Sequence, residues 1–355
     1  MTLPGATTAP PRRRAPRRAA ALTAAVVLLA AAVLAGISAG AVGLPPVSAA
    51  AALLDRLPGV SIHSGLSQVE TQVLLQLRLP RVVLAALVGG MLALAGAAYQ
   101  GVFRNPLADP YLLGAAAGAG LGATLVIAYV PGNAVGPVSV VPLAAFVGAL
   151  TGVGLAYGLG AVAGQGEGAA TLLLAGVAVA SFLAAAQTAV QQAHSESLRD
   201  VYSWLLGQLG AASWSTVGLM LPYAVLSAAF LLATGRGLDV LSVGDDEATS
   251  LGIRPQRLRL LVLLAASLGT ASAVAVSGLI GFVGLVVPHL VRRLAGGSYR
   301  TVLPVSLLGG GAFLVLADLV ARTVLAPAEL PIGVVTAFVG APFFAILLRV
   351  GAGRS

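Results

Sequence analysis

The sequence contains no cysteine and no lysine, and few of its residues carry charge. Without cysteine, the chain can form neither disulfides nor thiolate metal sites, and it has no cysteine nucleophile. Without lysine, it cannot form the loop in which a lysine contacts the β- and γ-phosphates of ATP, so it does not hydrolyse ATP by that machinery. Charged residues make up 9% of the 355 residues, far below the roughly 25% of a soluble domain. The composition therefore excludes an ordinary water-soluble protein.

Long apolar stretches separate the charges, and hydrophobic residues make up 58% of the chain. Most of these stretches approach the roughly 20 residues that cross a ~30 Å hydrocarbon core. We predict ten transmembrane helices, at about residues 20–42, 82–103, 110–130, 138–160, 168–192, 214–234, 257–277, 279–295, 301–321 and 331–348. The stretch at 279–295 is short and is separated from the one before it only by Ser277-Gly278, so one long helix over both is the alternative. The sequence thus predicts an all-α, polytopic membrane protein with a basic tail at 1–19, a membrane domain at 20–350 and a short end at 351–355.

The arginines are distributed unevenly between the two sides of this domain. If the basic tail is cytoplasmic and the ten helices alternate, fifteen arginines lie in the cytoplasm and five outside. This partition fits the positive-inside rule and places both termini in the cytoplasm. The start of the chain also has the form of a secretory signal, with Ser48-Ala49-Ala50 as a candidate cleavage site, but its uncharged run is longer than a signal's apolar region. Nucleic-acid binding is not indicated, because the arginines lie at helix ends and not on one soluble face.

Few side chains offer catalytic or metal-binding chemistry. His63, His194 and His289 lie far apart and lack ligand spacing, which argues against a metal site. His289 lies at the predicted cytoplasmic end of a helix, where we expect it to interact with terminal carbonyls. Asp318 is the one carboxylate inside a predicted span, and Arg322, four residues later, is its expected ion-pair partner. A single acid is thin support for an ion-coupled secondary carrier, for which broken helices and an inverted repeat are also expected.

Two motifs carry a resemblance to a known family. One runs from Leu279 through Gly281, Gly284 and Pro288-His289 to Arg292-Arg293, and the other is Arg104-Asn105-Pro106-Leu107-Ala108-Asp109-Pro110. Together they resemble the FecCD-type permease subunits of bacterial ABC importers for iron siderophores, haem and vitamin B12. The resemblance covers about residues 78–348 and implies the type II ABC importer permease fold. It implies structural roles for Asn105, Pro106, Asp109, Pro110, Gly281, Gly284, Pro288 and His289.

The longest hydrophilic insertion between spans lies at about 238–255. Ser242 or Asp245 can cap a short helix that ends near Gly252, with Pro255 just beyond. An ordinary solvated loop is the alternative. In its position and its residues, the segment resembles the coupling helices by which permeases of this family contact their ATPase. The resemblance implies that the coupling residues are Gly244, Asp245, Asp246, Glu247, Leu251 and Gly252.

Three arginines remain on the predicted outer face. Arg78 and Arg81 flank Pro80 and match the family's entry to its second helix, and Arg322 matches a third family position. The resemblance implies that the three arginines dock acidic residues of a substrate-binding protein, whereas snorkelling to lipid headgroups is the alternative.

Four polar residues cluster at the end of the fifth predicted span: Gln187, Thr188, Gln191 and Gln192. Amides inside a membrane need a polar neighbour or water, so this face should meet another helix or a cavity. The resemblance places these residues on the translocation path, although hydrogen bonds between helices require the same residue types.

The resemblance implies an importer subunit that works by alternating access and has no catalytic residue, metal or cofactor of its own. The implied partners are a second permease copy or paralogue, two ATPase subunits that bind ATP and Mg, an extracytoplasmic siderophore-binding protein and the lipid bilayer. A ferric siderophore is the expected substrate, with vitamin B12 or haem as alternatives. An intramembrane enzyme is disfavoured, because the apolar spans contain no Ser-His pair, paired aspartates or His-Glu-x-x-His run.

Overall fold

The structure is a computed structural model that describes residues 15–40, 43–56, 58–59, 61–130, 140–163 and 169–352. Tail residues 1–14, with Arg12, Arg13 and Arg14, and residues 353–355 lie outside the described residues. The α-helices within these ranges are α1 (Ala15–Ser38), α2 (Pro46–Leu54), α3 (Gln68–Gln72), α4 (Leu79–Val102), α5 (Ala115–Tyr129), α6 (Val140–Ala163), α7 (Ala169–Ala193), α8 (Leu198–Leu205), α9 (Trp214–Ala233), α10 (Gly235–Leu241), α11 (Asp245–Ser250), α12 (Pro255–Ser277), α13 (Val283–Ala295), α14 (Tyr299–Thr323) and α15 (Ile332–Ala352).

Each predicted span corresponds to one helix, which confirms the all-α membrane fold. These helices are α1, α4, α5, α6, α7, α9, α12, α13, α14 and α15. By length and composition, the described part of the chain holds seven helices able to cross a membrane; α5, α13 and α15 are not among them. The centre of the molecule is formed by α4, α12 and α14, whose residues are mostly buried, whereas at most about a third of the residues of α1, α6, α7 and α9 are buried.

Glycines allow the central helices to approach closely. A Cβ atom on Gly89 of α4 would lie 2.2 Å from the carbonyl oxygen of Gly310 in α14, and a Cβ on Gly310 would lie 2.3 Å from the Gly89 oxygen. No side chain fits in such a contact, so the two backbones touch directly. Small residues are what membrane helices use to pack in this way, because lipid provides no hydrophobic drive between helices.

The glycines that recur every fourth residue in α5 pack on α6. A Cβ on Gly118 would lie 2.1 Å from the Gly148 oxygen, and a Cβ on Gly122 would lie 2.2 Å from the Ala144 oxygen. Gly114, one turn earlier, lies opposite Gly152. The small-residue face is therefore a helix-packing surface, as its spacing indicates.

The second predicted span begins earlier than expected. Helical structure starts at Gln68, where the Ser67 hydroxyl accepts from the Glu70 backbone N–H (3.2 Å) and the Glu70 carboxylate accepts from the Ser67 N–H (2.8 Å). This is a capping box. A π-helical segment, Val73–Arg78, then leads into α4. Pro80 explains the change of register, because it has no N–H to donate to the preceding turn. Arg78 therefore lies within a continuous helical run and not before it.

Two helices begin inside the molecule. The first residue before α5 is Gly114 (φ +81°), and the first before α13 is Phe282 (φ +68°), both left-handed. Gly114 faces Gly152, near the middle of α6, and Gly284 faces Gly96, six residues before the end of α4 or about 9 Å along its axis. Broken helices are thus present, so this feature does not separate an ion-coupled carrier from other transporters.

Candidate docking, coupling and translocation sites

The two sequence motifs meet where the broken helices begin. The Tyr111 hydroxyl donates to the Ile280 carbonyl oxygen (3.0 Å), and the Gln100 amide donates to the Gly284 carbonyl oxygen (3.1 Å). A Cβ on Gly284 would lie 2.8 Å from Cδ of Pro110 and 2.9 Å from the oxygen of Leu92. Non-helical backbone at membrane depth must be satisfied within the protein. Here the side chains of Gln100 and Tyr111, which flank the Arg104–Pro110 motif, supply the hydrogen bonds, and Pro110 packs against Gly284.

Other motif residues shape the backbone locally. The Asn105 side chain accepts from the Leu107 N–H (2.9 Å), and the Asp109 side chain accepts from the Tyr111 N–H (2.8 Å), so both form Asx turns. Pro106, next to Asn105, is exposed. These turns direct the chain from the end of α4 to the start of α5.

The motif that runs from Leu279 to Arg293 contains one residue whose placement differs from expectation. The prediction that His289 lies at the end of a helix is wrong, because α13 continues to Ala295. Its ring packs edge-on against Phe343, with centroids 5.9 Å apart. Pro288 is buried within the same helix, and a Cβ on Gly281 would meet nothing within 4 Å. Gly284, and not Gly281, is the position where space excludes a side chain.

The predicted coupling segment forms a compact knob of two short helices, α10 and α11. Gly244 precedes α11 with an extended backbone, and the first helical turn contains Asp245, Asp246 and Glu247. Asp245 is therefore the first helical residue and not the cap. Gly252 ends the helix with φ +78°, and its neighbour Ile253 donates its N–H to the Ala248 carbonyl (2.9 Å). We call residues 235–253 the knob.

Asp245 anchors the knob to the membrane helices. Its carboxylate accepts from Nη2 (2.7 Å) and Nη1 (2.8 Å) of Arg259 in α12 and also pairs with Arg104. Arg104 donates its Nε to the Leu241 carbonyl (2.8 Å), which ties both helices of the knob to the end of α4. Hydrogen bonding from Arg259 is the main cause that lowers the pKa of Asp245. Asp245 consequently faces its own chain.

The outward side of the knob is apolar as well as acidic. Leu251 is 68% exposed and Val243 is 72% exposed. Asp246 and Glu247 are exposed beside them. Val243 was not among the predicted coupling residues, although an apolar side chain within an acidic loop is the signal that could have identified it. A polar connection that exposes two large aliphatic side chains is a candidate for a partner contact.

Asp239 is a second residue that sequence reasoning missed. Its carboxylate accepts from the Tyr299 N–H (2.5 Å) and from the Ser298 hydroxyl (2.7 Å), so it holds the knob to the start of α14. The two partners lie about sixty residues away in sequence, and no local pattern joins them.

The three arginines predicted to lie on the outer face bind groups of their own chain. Arg78, which is buried, donates to the carbonyl oxygens of Ile37 (2.9 Å) and Ser38 (3.0 Å) at the end of α1. Arg322 Nε lies 3.5 Å from Asp318 Oδ2, which confirms the predicted ion pair. Arg81 binds Asp318 through Nη2 at 2.8 Å. The docking role of these arginines remains a prediction, and their burial means that they also hold α1, α4 and α14 together.

The four polar residues of α7 separate into two groups. Gln187 is buried, and its Oε1 would lie 2.8 Å from a Cβ on Gly120, so it packs against α5. Thr188 and Gln192 are exposed and Gln191 is half-buried. These three share the side of α7 that other described helices leave open, as a path or a second subunit would require. Their role remains a prediction. Within the described residues, no cluster of three or more His, Cys, Asp or Glu side chains is placed to hold a metal ion.

Comparison with known proteins identifies the family. The profile of the FecCD transport family matches residues 28–350. The chain belongs to the FecCD transport family. Three relatives, each named as a permease protein, illustrate its range. The chain is 45% identical over 273 residues to the cobalamin import system permease protein BtuC of Halobacterium salinarum, with 77% of this chain and 72% of that protein covered. It is 42% identical to the hemin transport system permease protein HmuU of Yersinia pestis (77% and 82% covered).

A third relative, the Fe(3+) dicitrate transport system permease protein FecD of Escherichia coli, is 41% identical, with 78% of this chain and 85% of that protein covered. Among solved structures, a metal-chelate type ABC transporter in an inward-facing conformation has a TM-score of 0.80 at 30% identity, covering 92% of this chain and 98% of that chain. As a FecCD member, this chain is a multi-pass permease subunit of an ABC importer, and it has the permease fold.

Proposed function

We propose that this FecCD permease imports a ferric siderophore by alternating access, powered by two separate ATPase subunits and supplied by an extracytoplasmic binding protein. One observation carries the ATPase part of the proposal. The knob, fixed to α4 and α12 through Asp245, exposes Leu251 and Val243, and the chain has no lysine with which to form a phosphate-binding loop of its own. A segment that is fixed to the membrane helices and exposes apolar side chains suits a surface through which a partner moves those helices.

The contacts above also supply a route for that force. Arg104 binds Asp245 of the knob, and the segment that begins at Arg104 continues to Tyr111, whose hydroxyl bonds to Ile280 just before α13. Knob movement would therefore reach the breaks at the starts of α5 and α13. Substrate contacts in the path can be few and weak, because the binding protein supplies selectivity and tight binding would slow release.

A second permease, identical or paralogous, would cover the open side of α7. Leu174 and Phe182, each 71% exposed, lie on this helix with Thr188 and Gln192. Polar residues at the outer end of an otherwise apolar face suit a path lined by two subunits. ATP and Mg would bind to the ATPases, and this chain would hold no cofactor.

The substrate is tested by growth. A strain that lacks this permease should fail on a ferric siderophore as sole iron source and recover when the gene is restored. Normal growth on every siderophore, with failure on haem or a cobalamin requirement, would assign one of the alternatives carried by the names of its relatives.

The orientation in the membrane gives a separate prediction. Thr249 on the knob and Ala328 in the α14–α15 connection are both exposed, and the chain has no cysteine of its own. A membrane-impermeant thiol reagent added outside intact cells should label Ala328→Cys and spare Thr249→Cys, which should react only after the membrane is opened. Labelling of Thr249→Cys in intact cells would reverse the orientation that places the termini in the cytoplasm.

A further inference from the structure

The guanidinium of Arg81 is shared by two carboxylates. Its Nε (3.0 Å) and Nη2 (2.8 Å) donate to Asp318 Oδ1. Its Nη1 donates to Glu329 Oε1 (2.9 Å), and Nη2 also donates to Glu329 Oε2 (2.8 Å). Each carboxylate thus forms a two-pronged contact, the geometry in which arginine binds carboxylates most strongly. No edge of the guanidinium is left for a third carboxylate.

The two carboxylates differ in how readily they can leave. Asp318 has 1% of its side chain exposed and also lies beside Arg322, so breaking its contact would leave a buried charge unpaired. Glu329 is 47% exposed, and within the described residues its carboxylate has hydrogen bonds only to Arg81. Exposed ion pairs contribute little net stability, because water replaces the partner at small cost. Glu329 is therefore the exchangeable partner of Arg81.

The charges around Arg81 indicate which kind of group would replace Glu329. Arg78, Arg81 and Arg322 lie together, and the carboxylates beside them in the described part of the chain are those of Asp318 and Glu329. When Glu329 leaves, this group carries two net positive charges, and the outer edge of Arg81 faces solvent. A carboxylate on a docking surface matches both the charge and the two-pronged geometry.

We infer that Glu329 occupies the docking position on Arg81 in the free permease, and that an acidic side chain of the external binding protein exchanges with it on docking. This inference rests on the proposed function, since that function supplies the external protein. It also reconciles the predicted docking role of Arg81 with a side chain that the chain's own carboxylates already occupy.

The exchange would have a consequence inside the permease. Glu329 lies in the connection between α14 and α15, three residues before Ile332 and four before Gly333, whose N–H groups donate to the carbonyls of Gly207 (3.1 Å) and Leu206 (3.0 Å). A Cβ on Gly333 would lie 3.1 Å from the Leu279 oxygen, at the break before α13. Release of Glu329 would therefore remove one tie between this connection and α4. The connection would stay bonded to the region before α13, which the knob reaches through Tyr111 and Ile280.

The test measures binding of the external protein to the permease–ATPase complex in nanodiscs. Glu329→Gln should tighten binding by about two- to fivefold at low salt, the size expected for removing one exposed ion-pair competitor. Asp200→Asn is the matched control, because it removes one exposed carboxylate from α8, on the same face, that makes no ion pair in the described residues. Asp200→Asn should change the affinity for the external protein less, because it acts only through the screened loss of one negative charge.

A double-variant cycle separates exchange from general charge. Arg81→Lys keeps the positive charge but cannot form two forked contacts. In that background, Glu329→Gln should tighten binding no more than Asp200→Asn does. The exchange is overturned if Glu329→Gln raises the affinity for the external protein no more than Asp200→Asn does, or lowers it. It is also overturned if the increase is equally large in the Arg81→Lys background. If the unmodified complex neither binds the external protein nor imports with ATP, the proposed function fails and the exchange fails with it.

Discussion

Leu251→Asp is expected to abolish ATP-driven uptake by the reconstituted complex while the permease remains folded and inserted. Leu251 is 68% exposed and belongs to no core of this chain, so an aspartate there removes little folding energy. At an interface, however, it would place an unpaired charge in an apolar contact, which costs several kcal/mol unless a partner neutralises it. The readouts are ATPase activity stimulated by the loaded binding protein, and uptake into proteoliposomes.

Leu251→Met is the matched control, because methionine keeps an apolar side chain of similar volume. It should transport nearly as well as the unmodified complex. Gly252→Pro should also stop uptake, since Gly252 has φ +78° and donates its N–H to Thr249, and proline permits neither. Both variants should still bind the external protein. Unimpaired uptake by Leu251→Asp would show that the knob tip is an ordinary solvated loop.

Gly148→Ala should cost most of the correctly folded protein, while Gly158→Ala on the same helix should not. A Cβ on Gly148 would lie 2.2 Å from the Gly118 oxygen, whereas a Cβ on Gly158 would meet nothing within 4 Å. Overpacking costs about 1–3 kcal/mol, and more where a rigid backbone cannot move away. The single added methyl group is the same in both variants.

The measurement is thermal stability and monodispersity of the detergent-purified permease. Gly158→Ala should match or slightly exceed the unmodified protein, because alanine restricts the unfolded chain more than glycine does. Equal melting temperatures for the two variants would mean that α5 and α6 do not touch at Gly118.

The periodic and compositional features of the fold were predictable from sequence. Apolar stretches, together with the family resemblance, predicted ten spans, each of which is a helix in the structure, and the spacing of Gly114, Gly118 and Gly122 predicted a packing face. The start of the helical run at Gln68 was not predicted, although Ser67 and Glu70 form a capping box that the sequence already contains. Charged residues and proline usually end a membrane span, so Arg78-Leu79-Pro80-Arg81 was expected to stand before the helix. Instead, the π-helical segment Val73–Arg78 carries the helix through these residues without a break.

In the candidate sites, too, local sequence patterns predicted some features and missed others. Gly252 and the acidic first turn of α11 follow from local rules, so the knob could be predicted. The pairing of Arg81 with Glu329 joins residues 248 apart, and no local pattern indicates it. The position of Arg81 on the outer face stays a prediction, and the sequence could not show that a carboxylate of the same chain already pairs with Arg81.

The central claim is that a partner ATPase drives transport through this chain, and uptake into proteoliposomes tests it most directly. Vesicles that contain the permease and its ATPase should accumulate ferric siderophore delivered by the external binding protein only when ATP is present on the side of the knob. An ATPase that lacks its phosphate-binding lysine should abolish accumulation. Accumulation by the permease alone, driven by a proton or sodium gradient without any ATPase, would contradict the account and assign the chain to the ion-coupled carriers.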